Sequence, residues 1–400
     1  MAKNIVFCAD GTWNGPESQT GQSILDSNDV AGEIAAGCVT NVVKLFANMP
    51  GQVTPDTMRL SDEQEKVLVG QDASVVQVMK YIHGVGDSSN PIIKAVGGVF
   101  GAGLIARVVR GYTFISRNYV PGDKIYICGF SRGAYTARAL AGLICRVALL
   151  NSATYNPDDK EAAYKLGLEA WMKSKSMALQ GSGLLVRIGN EILNLAENVL
   201  TKRLASSNFV ANVPIQAVAV WDTVGSLGIP KYAGDQRIDV LRFVDTTLND
   251  LVSYGFHAMA IDERRADFPV TRWTPRKGVE EVWFTGAHAD VGGGYPEGES
   301  RLSDEALSWM ISKLSQIGVR FTAPLVSPPQ PASSQEQIHT PWTKPPFNSL
   351  EKADRQANPG DTLHASVVKR WRENASYRPA SLGLLGQDIE KCKVDSTACD

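Results

Sequence analysis

Five short apolar runs, each stopped by a cluster of turn-forming residues, constrain the fold more than any other feature of this sequence. Asn4–Ala9 (NIVFCA) stops at Asp10-Gly11-Thr12, and Val75–Ile82 (VVQVMKYI) stops at His83-Gly84. Lys124–Cys128 (KIYIC) stops at Gly129-Phe130-Ser131, and Ile215–Val220 (IQAVAV) at Trp221-Asp222-Thr223. Glu281–Thr285 (EVWFT) stops at Gly286-Ala287-His288. Near-continuous apolar runs of this length suit strands buried on both faces, as in a parallel sheet. Helical patterns lie between them. Thr40 and Asn41 can cap a helix through VVKLFANM, and Ala137, Ala141 and Ile144 recur on one helical face after Ala134. Ser303 and Asp304 open a helix (EALSWMISKLSQIG) that Gly318 closes. Strand, turn and helix in alternation predict a mainly parallel sheet with helices on both faces.

Two stretches break this rhythm. Residues 151–211 are long and amphipathic, with Leu184, Leu185, Ile188 and Ile192 at helical spacing, and read as a helical insertion, a lid or cap, or else as an ordinary crossover with extra helices. Residues 322–361 are rich in Pro, Ser and Gln and are expected to form a surface excursion. The segment SYGFHAMAIDERR reads as a helix. There is no internal repeat, and 400 residues fit a single domain, 1–400, carrying both departures.

Composition excludes several classes of protein. Forty Lys plus Arg against 42 Asp plus Glu leave a net charge of −2, unlike the basic excess of a general nucleic-acid binder. The most apolar stretch, Ala95–Ala106, is interrupted by four glycines and falls short of the roughly 20 residues a membrane helix needs. The N-terminal run flows into a turn and reads as a first strand, not a secretion signal, so synthesis in a reducing cytoplasm is expected. Six cysteines are scattered without a CxxC pair; Cys8 and Cys128 sit in apolar runs and are expected to be reduced and buried. No metal or other cofactor is called for by a ligand pattern, although Asp10, Asp222 and Asp290 leave a Ca²⁺ cluster as an alternative.

Gly129-Phe130-Ser131-Arg132-Gly133 carries the chemistry. A G-x-S-x-G between a strand and a helix has the context of a nucleophile elbow. The turn must be tight, so a glycine two residues before and after the serine leaves room where a Cβ would clash. Ser131 then projects beside the N-terminus of the next helix, where the Arg132 amide can stabilise an oxyanion. A serine hydroxyl needs a base, and the base needs an acid to orient it. In α/β-hydrolases the chain order is Ser, Asp or Glu, then His. His288 directly follows a strand in the small-residue loop FTGAHADVGGGY and is the expected base. His257 reads as packed in its helix, His339 lies in the Pro-rich excursion, and His364 precedes a short helical pattern. Asp222, at the carboxyl end of its strand, is the expected acid. Its rivals are Asp262, which reads as an ion-pair partner of Arg264 or Arg265, and Asp290, better placed to brace the His288 loop. Gly11 or Thr12 is expected to supply a second oxyanion donor, with Asp10 orienting that turn.

The ordered set FCADGTWN, YIHGVGD, PGDKIYICGFSRGAYTARALAGLI, AVWDTVGSLGIP, HAMAIDERR and VWFTGAHADVGGGY resembles the DUF2235 family of α/β-hydrolase domains, including type VI secretion lipase effectors of the Tle1 class. The resemblance spans most of residues 4–300. It implies an α/β-hydrolase fold and a serine esterase that hydrolyses phospholipid acyl esters at a membrane surface through Ser131, Asp222 and His288. It also implies delivery into a rival's periplasm, a secretion spike protein as partner and a cognate immunity protein. The alternatives keep the fold but change the role: an esterase on soluble or glycolipid esters, or a catalytically degenerate binding module.

Overall fold

The computed structural model describes residues 2–11, 39–54, 63–83, 91–179, 204–224, 246–345, 347–349, 351–385, 389 and 392–398. Its strands are β1 (Asn4–Ala9), β2 (Gln52–Val53), β3 (Glu63–Val69), β4 (Val75–Ile82), β5 (Lys124–Phe130), β6 (Leu149–Leu150), β7 (Phe209–Val210), β8 (Ile215–Trp221), β9 (Val252–Ala260), β10 (Val279–Phe284), β11 (Thr362–His364) and β12 (Lys393–Asp395). Its α-helices are α1 (Asn41–Ala47), α2 (Pro91–Asn118), α3 (Arg132–Val147), α4 (Lys160–Leu179), α5 (His288–Gly292), α6 (Arg301–Gln316) and α7 (Ala365–Glu373). Ten strands form one sheet in the order β12-β11-β10-β9-β8-β5-β1-β4-β3-β2. All pairs from β12 to β4 run parallel, and β3 and β2 complete the edge antiparallel.

Side-chain alternation along the central strands feeds two cores. Ile5 and Phe7 of β1 join Ile125 and Ile127 of β5 against α2, α3 and α4, where Tyr112, Leu140 and Trp171 pack. Val6, Cys8, Tyr126 and Cys128 face the other way, against Phe46 of α1 and Trp309 of α6. A third cluster joins Met259, Trp283 and Leu363 to Val367 of α7. Cys8, Cys128 and Cys392 are buried free thiols, whereas Cys399 lies outside the described residues. Parallel pairing places the carboxyl ends of β1, β5, β8 and β10 on one edge of the sheet, and that edge carries the candidate site.

Several expectations need correction. SYGFHAMA forms β9, not a helix: this strand is buried on both faces between β8 and β10, so it shows no alternation and its Ala and Met content misleads. The helix expected from Ser303 begins at Arg301 with Ser300 at its N-cap, and it closes as expected at Gly318 (φ 111°). Thr40 caps α1 by accepting from the Val43 amide, as its sequence predicts. The expected insertion is clasped at its base by the antiparallel pair β6–β7 and contains α4; residues 180–203, with the leucine-rich pattern, lie outside the described residues. The excursion 322–361 covers the surface but is anchored at buried Trp342, Arg355 and Ala357. Among the described residues, no helix is long and apolar enough to cross a membrane.

Charged groups stitch α2 to the antiparallel edge. Lys80 of β4, 5% exposed, lies between Glu63 and Glu65 of β3, and Arg110 and Arg117 of α2 reach the same two carboxylates. Replacing Lys80 by Met leaves two adjacent buried carboxylates without their shared cation. Arg110 and Arg117 still reach them, so we expect a loss of about 1–3 kcal/mol in urea unfolding; an unchanged unfolding midpoint would contradict this.

Candidate active site

Ser131 sits between β5 and α3 at φ 56° and ψ −120°, outside the ordinary regions for a residue with a side chain. Close approach of three backbone segments explains the flanking glycines. A Cβ on Gly129 would lie 2.3 Å from the Gly133 carbonyl oxygen, and one on Gly133 only 2.0 Å from the Ala9 oxygen. The N-terminus of α3 thus presses against the end of β1, while the Ser131 amide donates to the Trp221 carbonyl of β8 at 3.2 Å. These contacts hold the serine on the rim where β1, β5 and β8 end.

Asp222 follows β8 at φ 36° and is fully buried. His288 opens α5 after β10. The imidazole spans the gap between acid and serine: Nδ1 lies 2.5 Å from Asp222 Oδ2, and Nε2 lies 2.8 Å from Ser131 Oγ. With Asp222 accepting from Nδ1–H, Nε2 is free to accept from the serine hydroxyl. Phe130 lies against the ring at 4.6 Å between centroids, and Phe268 meets it edge-on at 5.2 Å. Gly292 lets the His288 segment settle on Phe130, whose ring a Cβ would overlap.

Burial pushes the Asp222 carboxyl up, but Arg355 and then His288 overcome that and hold it well below the ordinary carboxylate range. Arg355 grips both oxygens, Nη1 to Oδ1 at 2.6 Å and Nη2 to Oδ2 at 3.0 Å, and the Ala260 amide donates to Oδ1 at 2.9 Å. Burial pushes His288 down, Asp222 pulls it back, and the balance lies below the ordinary histidine value. The ring is therefore held neutral near pH 7, the state in which it can take a proton.

The rival residues have other partners. Asp262 accepts from the Gly286 amide at 2.7 Å and the Tyr377 hydroxyl at 3.0 Å, and burial raises it to about 6. The expected ion pair belongs instead to its neighbour: Glu263 pairs with Arg265, while Arg264 pairs with Asp354. Both carboxylates are buried but have different partners: Asp262 is taken up by Gly286 and Tyr377, while Glu263 receives Arg265 and the His288 amide at 3.1 Å. Asp290 braces the loop as expected, accepting from the Ala287 amide at 2.9 Å and lying 2.6 Å from His339 Nδ1. His257 is packed, though in a strand, between Glu281 and the Thr223 amide. His364 caps α7.

The first turn is tied down by Asp10, which accepts from the Gly11 amide at 2.6 Å and from the hydroxyls of Thr40 and Tyr81, each at 2.8 Å. Burial raises its carboxyl above the ordinary value. The Gly11 amide, expected at an oxyanion, is thus directed at Asp10 instead, because the Asp10 carboxylate folds back over its own turn. Thr12 lies outside the described residues. Arg132 is the first residue of α3, where amides have no acceptor within the helix. Burial lowers its guanidinium to about 10. Among the described residues, no group of three His, Cys, Asp or Glu is placed to hold a metal ion, so Asp10, Asp222 and Asp290 do not form the alternative Ca²⁺ cluster. Arg355 was invisible to sequence reasoning, because it lies in a Pro-rich segment with no motif around it.

Fold and site together define an α/β-hydrolase-like protein with a hydrogen-bonded Ser–His–Asp chain at the carboxyl edge of its sheet. The family described as "T6SS, Phospholipase effector Tle1-like, catalytic domain" matches residues 3–313, and the chain belongs to that family. A curated relative, the uncharacterized protein YEL023C of Saccharomyces cerevisiae, is 27% identical over 295 residues, covering 70% of this chain and 34% of the relative. The chain thus spans about a third of that protein's length. Two solved structures are similar at low superposition. An uncharacterized protein from Pseudomonas aeruginosa has TM-score 0.41 and 18% identity, over 80% of this chain and 46% of that one. The Tle1 effector bound to the VgrG spike of the type 6 secretion system has TM-score 0.33 and 16% identity, over 74% and 51%.

The depressed basicity of His288 has a measurable sign. Below the unfolded histidine pKa of about 6.5, the unfolded chain takes a proton that folded His288 resists. Its contribution to stability is full above that pH and is lost as pH falls towards the lower folded value. An NMR titration of the His288 ring should give a midpoint below about 6.5; a midpoint above it would contradict the burial argument.

Proposed function

We propose that this chain is a serine esterase that cleaves acyl esters of phospholipids through an acyl-enzyme. The observation that carries the reading is the continuous chain Ser131 Oγ–His288–Asp222, with separations of 2.8 and 2.5 Å. Membership of the phospholipase effector family supports a phospholipid as the ester.

His288 Nε2 takes the Ser131 proton as Oγ attacks the acyl carbonyl. Negative charge develops on the carbonyl oxygen beside the N-terminus of α3, where the Arg132 amide stabilises it. The imidazolium formed is held by Asp222 and returns its proton to the departing lysolipid oxygen. Water then enters and attacks the acyl carbon as His288 removes its proton, and the acyl-enzyme breaks to fatty acid as His288 returns that proton to Ser131 Oγ. Asp10 ties the end of β1 to Thr40 and Tyr81. As an effector, the chain would be carried by a secretion spike to the periplasm of a rival cell, with an immunity protein protecting the producer.

Mass-spectrometric profiling of mixed bacterial phospholipid vesicles tests this reading. The parent chain should release fatty acid and lysophospholipid, and Ser131→Ala should lower the rate at least about a thousandfold. Equal release by the two proteins would end the assignment.

A further inference from the structure

The described part of segment 322–361 brings a buried cation to the acid of the site. Two carbonyls aim the Arg355 guanidinium: Nη1 donates to Ala260 O at 2.6 Å and Nη2 to Phe268 O at 2.8 Å. Its remaining donors on those nitrogens meet both oxygens of Asp222. The segment around it is sewn to the turn after β9. The Ala353 amide donates to Arg264 O at 2.8 Å, and the Ala266 amide to Glu351 O at 3.1 Å. Earlier in the same segment, His339 lies between Asp290 and Glu299 and stacks on Tyr295 at 3.5 Å. The segment is therefore fastened to both the acid and the His288 loop. It also lies beyond residues 3–313, the part of the chain that the family match covers.

We propose that Arg355 is a positioning residue for the acyl-transfer reaction: it fixes the plane of the Asp222 carboxylate through two parallel hydrogen bonds, so that Oδ2 meets His288 Nδ1 in line with Ser131. The proposal rests on the reading of Ser131, His288 and Asp222 as the catalytic chain. A bidentate guanidinium restricts carboxylate rotation, which a point charge on a flexible stem does not. Arg355 acts through Asp222 and touches no reacting atom.

The cation also sets the basicity of the site. Other charges around His288 and Asp222 are already matched: Glu263 pairs with Arg265, His257 is bonded to Glu281, and Asp290 is bonded to His339. Without Arg355, the negative charge of Asp222 is no longer offset, and the imidazolium of His288 is better stabilised. The base then stays protonated to higher pH, and the acidic limb of kcat/KM moves upward.

The test measures full-length variants on a soluble p-nitrophenyl ester. For Arg355→Met we expect kcat to fall about a hundredfold with KM within about twofold, and the acidic limb to move to higher pH. Arg355→Lys keeps the charge without the fork, so kcat should fall roughly tenfold with the limb unmoved. Guanidinium ion at low concentration should restore part of the activity of Arg355→Ala. A folded Arg355→Met chain with parental kcat and pH profile would overturn the proposal. Should that variant not fold, an Arg355→Lys chain with undiminished kcat does so instead. Ser131→Ala is measured alongside: if it stays active, the catalytic reading fails, whereas an inactive Ser131→Ala with an indifferent Arg355 fails the positioning claim alone.

Discussion

The contact between the start of α3 and the end of β1 governs the rest of the site. There the Gly133 Cα lies so near the Ala9 carbonyl that no side chain fits, and Gly129 in turn abuts Gly133. Ser131 holds its unusual φ beside this contact, at a strain of about 1–3 kcal/mol. In return the hydroxyl stands clear of the turn and beside the positive end of a helix. Without that approach, the serine would be an ordinary helix-capping residue with its oxygen folded onto the backbone.

Once the serine is fixed, the parallel sheet supplies its partners. β8 is the neighbour of β5, so Asp222 arrives one strand away, and β10 lies two strands beyond β8. His288 bridges that distance because α5 begins with it and lies back over Phe130. A carboxylate with no exposed surface is costly unless its oxygens are occupied. Here the Ala260 amide, His288 and Arg355 fill them. Each of these groups also limits where the carboxylate can turn.

Much of this was legible in the sequence, for physical reasons that differ from part to part. The runs that became β1 and β4 were delimited by turn residues, and their ends agree with the observed strands. Ser131 was marked by the paired glycines, and His288 and Asp222 by their places just after strands. β9 was not legible, because a strand enclosed on both faces carries no alternation to separate it from a helix. β11 and β12 are three residues each and leave too little pattern. Arg355 was hidden for another reason. Its role comes from a contact between residues 133 positions apart, within a segment whose composition signals only surface. The partner of Asp262 was not legible because spacing alone cannot tell which of two adjacent buried carboxylates meets the arginine and which meets the Tyr377 hydroxyl.

The central claim is that Ser131 is made nucleophilic by its place at the end of this hydrogen-bonded chain. Labelling with a fluorophosphonate probe, followed by peptide mass mapping, addresses it most directly. The account predicts a single stoichiometric adduct on Ser131 in the parent chain and a sharply slowed reaction in His288→Ala. No adduct on Ser131, or equally fast labelling without the imidazole, would contradict it.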